Sequence, residues 1–126
     1  MAAVGTVLIV DDEVDLCESI QFVFEDASYK AFLAHTVKGA LDILARESID
    51  FVVSDVRMPG ESGIDLVKAM RETLNHKAVV FLISGYYTPQ EDLAPYNVED
   101  VIKKPINLDG LLEKVEAKRK ALKTHS

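Results

Sequence analysis

The chain has 126 residues, 48% of them hydrophobic, with 14 basic and 21 acidic side chains and a net charge of −7. That suits one domain with its own core; the acidic balance argues against nucleic-acid binding by this chain alone, and Cys17, the only cysteine, excludes an intramolecular disulfide and a cysteine metal site. No apolar run approaches the roughly 20 residues of a membrane span, and residues 1–5 lack the charged and apolar regions of a signal peptide, so a cytoplasmic location is expected.

Strand-like and helix-like patterns alternate along the chain. Residues 7–10 are a short apolar run and read as strand one. Residues 13–27 carry Leu16, Ile20, Val23 and Phe24 at helical spacing and read as helix one. Residues 29–34 form a short second strand. Thr36 can cap a helix over 37–47 that buries Ala40, Leu41 and Leu44. Residues 49–54 are apolar enough for a strand covered on both faces. Ile64, Val67, Met70 and Leu74 place helix three over 62–74, and residues 79–83 read as strand four. The stretch 86–99 contains Pro89 and Pro95, so a fourth helix there is short or irregular. Residues 100–103 form a short, acid-flanked fifth strand. Asn107 can cap a last helix with Asp109 in its first turn and an apolar stripe of Leu108, Leu111, Leu112, Val115 and Leu122. Lys118, Arg119, Lys120 and Lys123 sit toward its end, where cations complement the helix dipole. This alternation implies an α/β fold, a doubly wound five-stranded parallel sheet in a single domain spanning residues 1–126, with its core over about residues 6–122.

Three of these strands deliver charged groups at their carboxyl ends, where open α/β sheets hold their ligands. Asp11 and Asp12 follow strand one, Asp55 follows strand three, and Lys104-Pro105 follows strand five. Three carboxylates at one sheet edge repel each other unless a cation sits among them. Mg2+ suits that task, being a hard ion with oxygen ligands that leaves positions open beside one or two carboxylates. Taken alone, Asp11-Asp12 reads equally well as acids at a helix N-terminus; the matching strand ends favour a shared pocket. Asp55 can act as a nucleophile toward phosphorus, and Lys104 can set an ammonium on a phosphoryl oxygen. Pro59-Gly60 would turn the chain sharply after strand three. Ser84-Gly85 by itself reads as a turn pair.

Together these clusters resemble the receiver domain of two-component response regulators, over essentially the whole chain. Asp55-Val56-Arg57-Met58-Pro59-Gly60 is similar to that family's Asp-x-x-Met-Pro-Gly turn, and Lys104-Pro105 to its Lys-Pro pair. The resemblance implies a flavodoxin-like sheet of order 2-1-3-4-5. It implies that Asp55 accepts a phosphoryl group, in a Mg2+-dependent reaction, from a partner histidine kinase or histidine phosphotransfer protein. Asp12, Asp55 and the backbone carbonyl of Arg57 would ligate Mg2+ directly, and Asp11 through a water. Ser84 and Lys104 would bond the bound phosphoryl group, and the Lys104-Pro105 peptide would be cis. Output would be a protein contact with a downstream effector domain or protein, with a homodimer possible and no direct contact with nucleic acid or membrane. The domain would catalyse only its own phosphorylation and dephosphorylation.

Several positions depart from that pattern. Many relatives carry an aromatic residue three positions before the motif lysine, where this chain has Val101; Tyr86, Tyr87 or Tyr96 are the candidates to replace it. With Pro95 in the weak fourth helix, the face often used for dimerisation is expected to look unusual. Arg57 and Tyr86 occupy positions that flank the entrance to the family's site, so slow autodephosphorylation is expected. His35, His76 and His125 read as ordinary loop or surface residues. Cys17 reads as a small core residue. Two other functions fit parts of the pattern: a degenerate receiver used as a constitutive binding module, and an aspartyl-phosphate phosphohydrolase. The latter class needs Asp-x-Asp after the first strand, where this chain has adjacent acids. The position of Met1 suggests a receiver at a protein's amino end, and the sequence after the last helix leaves no output domain in this chain.

Overall fold

The computed structural model describes residues 2–85 and 93–124, Thr124 by its backbone alone. Five parallel strands form the main sheet: β1 (Thr6–Val10), β2 (Lys30–Ala34), β3 (Phe51–Asp55), β6 (Val79–Ser84) and β7 (Val98–Lys103). Their spatial order is β2-β1-β3-β6-β7, which is the order 2-1-3-4-5 once the short strands β4 (Arg57–Met58) and β5 (Glu61–Ser62) are set aside. That pair is a separate antiparallel hairpin, pairing Arg57 with Ser62 and Met58 with Glu61.

Strand alternation sorts the apolar residues into two cores. Leu8 and Val10 of β1, Val52 of β3, and Val80 and Leu82 of β6 face one side; Val7, Ile9, Phe51, Val53, Phe81 and Ile83 face the other. Helices α2 (Val37–Arg46) and α3 (Gly63–Glu72) cover the first face, through Ala40, Ile43, Leu44, Leu66, Val67 and Met70. Helices α1 (Val14–Asp26) and α4 (Leu108–Thr124) cover the second, through Cys17, Ile20, Phe24, Leu111 and Val115. The central strand β3 is buried at every residue, as a parallel strand covered on both faces must be. Each fully buried Leu, Ile or Val contributes roughly 1.5–3 kcal/mol of transfer free energy, so burial on both sides makes β3 the firmest platform for whatever its carboxyl end carries.

The helix starts are set by short polar side chains. Thr36 Oγ1 accepts from the Gly39 N–H at 3.0 Å, Ser62 Oγ from Ile64 at 3.0 Å, and Asn107 Oδ1 from Gly110 at 2.8 Å. The expected helices agree with the observed ones to within two residues. Three details differ. Leu122, in the last turn of α4, is 45% exposed and lies outside the core. β7 starts at Val98, two residues early, because a register shift between Val80 and Phe81 accommodates Glu99. Between β6 and β7, a single 3-10 turn (Ala94–Tyr96) is the described part of the expected irregular fourth helix. Tyr86, Tyr87, Pro89 and His125 lie outside the described residues. None of the helices among the described residues is long and apolar enough to cross a membrane.

Candidate functional site

The sheet brings the charged groups together at its carboxyl edge. β1 and β3 are in register, Val10 beside Ser54, so Asp11 and Asp55 emerge side by side. β6 and β7 pair Ser84 with Lys103, and the ladder runs on through Lys104 N–H to Ser84 O at 2.9 Å. On the inner side, Val56 N–H donates to Ile83 O at 2.8 Å and Asp11 N–H to Ala34 O at 3.1 Å. Each functional side chain thus sits at the end of a strand, or within two residues past it, and the strand's position is fixed by hydrogen bonds.

Asp11, Asp12 and Asp55 each place a carboxylate oxygen within 4.8 Å of the others. Asp11 and Asp55 are buried, as is Ser84, while Asp12 is exposed. Lys104 Nζ donates to Asp55 Oδ2 at 3.2 Å. Burial opposes the Lys104 charge, but the bond to Asp55 and the charges of Asp55, Asp11 and Glu13 outweigh it and hold the ammonium above its ordinary pKa. Arg57 N–H donates to Asp55 Oδ1 at 3.3 Å, so the backbone of residue 57 lies against that carboxylate. The Lys104–Pro105 peptide is cis.

The Asp11 carboxyl carries the electrostatic cost of the cluster. Burial pushes it up to about 6, and the charges of Asp55 and Asp12 push in the same direction. The Glu13 N–H bond to Oδ1, at 2.9 Å, and the Lys104 charge pull it back. Its other oxygen, Oδ2, is buried without a hydrogen-bond partner. A buried carboxylate oxygen with an open lone pair costs free energy unless a cation or donor meets it. One lysine facing three carboxylates does not neutralise them. Clustered oxygen donors with no sulfur or nitrogen ligand fit a hard divalent ion such as Mg2+.

The structure also places residues that the motifs do not flag. A Cβ on Gly63, the first residue of α3, would lie 2.3 Å from the Asp55 carbonyl oxygen and 3.0 Å from Ser54 Oγ. The N-terminus of α3 therefore packs straight onto the backbone of Asp55, and Gly63 N–H bonds Val56 O at 2.9 Å. The hairpin after Asp55 turns at Gly60, with φ +72°, and its Glu61 carboxylate accepts from Val37 N–H at 2.7 Å, at the start of α2. His35 bonds the Asp11 carbonyl. Val101 pairs with Leu82 and is partly buried against the α2–α3 core. Tyr96 packs on the same core, with Lys68 Nζ 5.8 Å from its ring centroid.

The site is thus a set of acids and a lysine converging at the carboxyl edge of a doubly wound parallel sheet. Residues 7–116 match the response regulator receiver domain family, and the chain belongs to it. The chain is 26% identical over 122 residues to the regulatory protein VanR of Enterococcus faecium, an alignment covering 95% of this chain and 52% of that protein. It is 30% identical over 111 residues to the transcriptional regulatory protein CpxR of Escherichia coli, covering 88% of this chain and 47% of that one. The chain thus spans about half the length of these curated relatives. Among solved structures, the CheY-like receiver domain protein of Methanospirillum hungatei superposes with a TM-score of 0.86 at 23% identity, over 97% of this chain and 98% of that one. The response regulator TrrA of Thermotoga maritima, solved in complex with Mg2+-BeF, superposes with a TM-score of 0.77 at 27% identity, over 90% and 97%. Both curated relatives are named as regulatory proteins.

Proposed function

We propose that Asp55 accepts a phosphoryl group from the histidine of a partner kinase or phosphotransfer protein, in a Mg2+-dependent reaction, and that the modified domain switches a protein-interaction surface. The single observation that carries this is the convergence of Asp11, Asp12, Asp55 and Lys104 at one sheet edge. The TrrA likeness supports it, because that relative was solved with Mg2+-BeF.

In the transfer, a carboxylate oxygen of Asp55 attacks phosphorus in line with the leaving imidazole nitrogen. The new O–P bond forms as the N–P bond breaks, and the nitrogen keeps the electron pair. Asp12, Asp55 and the backbone carbonyl of Arg57 would hold Mg2+ directly, with Asp11 acting through a water. Bound there, Mg2+ would supply positive charge against the phosphoryl oxygens and relieve the repulsion among the acids. Lys104 places its ammonium at Asp55 and can shift to a phosphoryl oxygen. Ser84, buried at the end of β6, would donate its hydroxyl to the phosphoryl group.

A cleft of about 310 Å3 runs beside the pocket between α1 and the segment after Lys104, lined by Glu13, Leu16, Ser19, Ile106 and Leu108 among others. Its apolar walls next to Lys104 suit a helical donor protein. The domain is read as one unit over residues 1–126, with output passed to a downstream effector domain or protein, in the cytoplasm. Arg57, exposed beside Asp55, is expected to slow attack by water on the phosphoryl group.

Beryllofluoride tests the site directly. With Mg2+ present it should bind the unaltered protein and shift the amide resonances around Asp55, and the Asp55→Asn variant should give no shifts. Shifts of equal size in Asp55→Asn would overturn the assignment.

A further inference from the structure

Asp11 is restrained at nearly every polar atom. Its N–H donates to Ala34 O at 3.1 Å. Its Oδ1 takes the Glu13 N–H at 2.9 Å. Its carbonyl oxygen receives two side chains: His35 Nδ1 at 3.0 Å and the Cys17 thiol at 3.3 Å. A carbonyl can only accept, so Nδ1 of His35 carries the proton. Cys17 is fully buried, and toward the same carbonyl its thiol can only donate. The two donors lie 3.8 Å apart and converge on one oxygen. Only Oδ2 remains open, and it is the buried oxygen that lacks a partner.

From this we infer that His35, backed by Cys17, is a positioning residue: it pins the Asp11 carbonyl and so holds the Asp11 carboxylate at the acid cluster. The inference rests on the metal pocket proposed above. Both act on the backbone carbonyl of Asp11 and not on its carboxylate. With the amide and carbonyl of Asp11 both fixed, the peptide planes at the corner between β1 and α1 cannot rock. The Glu13 bond then leaves the carboxylate one orientation. Groups that orient a metal's ligands in this way typically contribute about ten- to a hundredfold in affinity. His35 is reached from solvent, which places it at the lower end of that range and makes it safe to substitute.

The test is Mg2+ affinity by calorimetry on the full chain, with urea unfolding of each variant as the stability control. His35→Leu removes the donor and should raise the Mg2+ Kd about tenfold. His35→Asn keeps an N–H near the position of Nδ1 and should stay within about twofold of the unaltered protein, a rescue that mere packing would not produce. An unchanged Kd in His35→Leu, or an equal loss in His35→Asn, would overturn the inference alone. Absence of Mg2+ binding by the unaltered protein would overturn the metal pocket and this inference with it.

Discussion

Lys104 Nζ lies 3.2 Å from Asp55 Oδ2, joining residues 49 positions apart across the carboxyl edge of the sheet. The Asp55 side chain is 6% exposed and that of Lys104 28%. This is a sheltered pair, held by the β6–β7 ladder on one side and β3 on the other. If Lys104 stabilises charge on the incoming phosphoryl group, its loss should cost the rate more than the fold. Lys104→Ala should phosphorylate about a hundredfold more slowly from a small donor. A rate within twofold of the unaltered protein would remove Lys104 from the chemistry.

Gly63 sets how closely α3 approaches Asp55. A methyl group there meets a backbone carbonyl at 2.3 Å, and a carbonyl cannot swing aside. Gly63→Ala should destabilise the domain by about 1–3 kcal/mol and slow phosphorylation of the fraction that remains folded. Gly39, in the first turn of α2, is the matched control, since its Cβ would meet Thr36 Oγ1 at 3.1 Å. Urea unfolding with kinetics on both variants separates the two positions; equal effects would mean that α3 has no special role.

Arg71 ties α3 to the chain before β7. Its guanidinium donates to Tyr96 O, His76 O, Ala78 O and Asn97 O at 2.9, 2.7, 2.9 and 3.2 Å. Removing it strands carbonyls in two loops at once. Arg71→Ala should lose about 2–3 kcal/mol, and Arg71→Lys should recover little, because an ammonium cannot span the planar fork. Denaturant unfolding of the two variants decides this; full recovery by lysine would contradict it.

His76 gives stability a pH dependence. Its Nδ1 accepts the Ala78 N–H at 3.1 Å, and burial followed by the charge of Arg71 holds the imidazole below its ordinary pKa. The unfolded chain then binds the extra proton first. The contribution of His76 is complete above the unfolded value of about 6.5 and is lost as pH falls from there toward the folded value. Unfolding free energy should therefore fall more steeply below pH 6.5 in the unaltered protein than in His76→Asn. Parallel curves would show that the histidine does not titrate this way.

If a donor protein docks in the cleft beside Lys104, docking and chemistry can be separated there. Ser19 is exposed at its edge. Ser19→Glu should leave labelling by acetyl phosphate unchanged and slow transfer from a phosphorylated histidine protein. Equal rates from the protein donor in both forms would place docking elsewhere.

The sequence made the sheet and the acid cluster legible because both rest on short-range signals. An apolar run ending in Asp, or in Lys-Pro, announces a buried strand and what it delivers. The turn at Pro59-Gly60 was equally plain, though the hairpin pairing Arg57 with Ser62 was not, since two-residue strands have no periodicity to read. Contacts made across the fold left no such trace. Gly63 looks like any glycine near a helix start, and its need is set by a carbonyl eight residues back. His35 reads as a loop histidine until β2 lies beside β1 and brings it to Asp11. Leu122 fits the helical stripe, but in the last turn of α4 it is left exposed. The acids within β7 hid its first two residues, because Glu99 and Asp100 pair with Lys118 and Lys114 on an exposed edge.

The central claim is that Asp55 is the phosphoacceptor of a Mg2+-dependent site. Incubation with acetyl phosphate, with and without Mg2+, followed by intact mass measurement, tests it most directly. The account predicts the gain of a single phosphoryl group that requires Mg2+ and is absent from Asp55→Asn. No gain by the folded protein, or the same gain in Asp55→Asn, would contradict it.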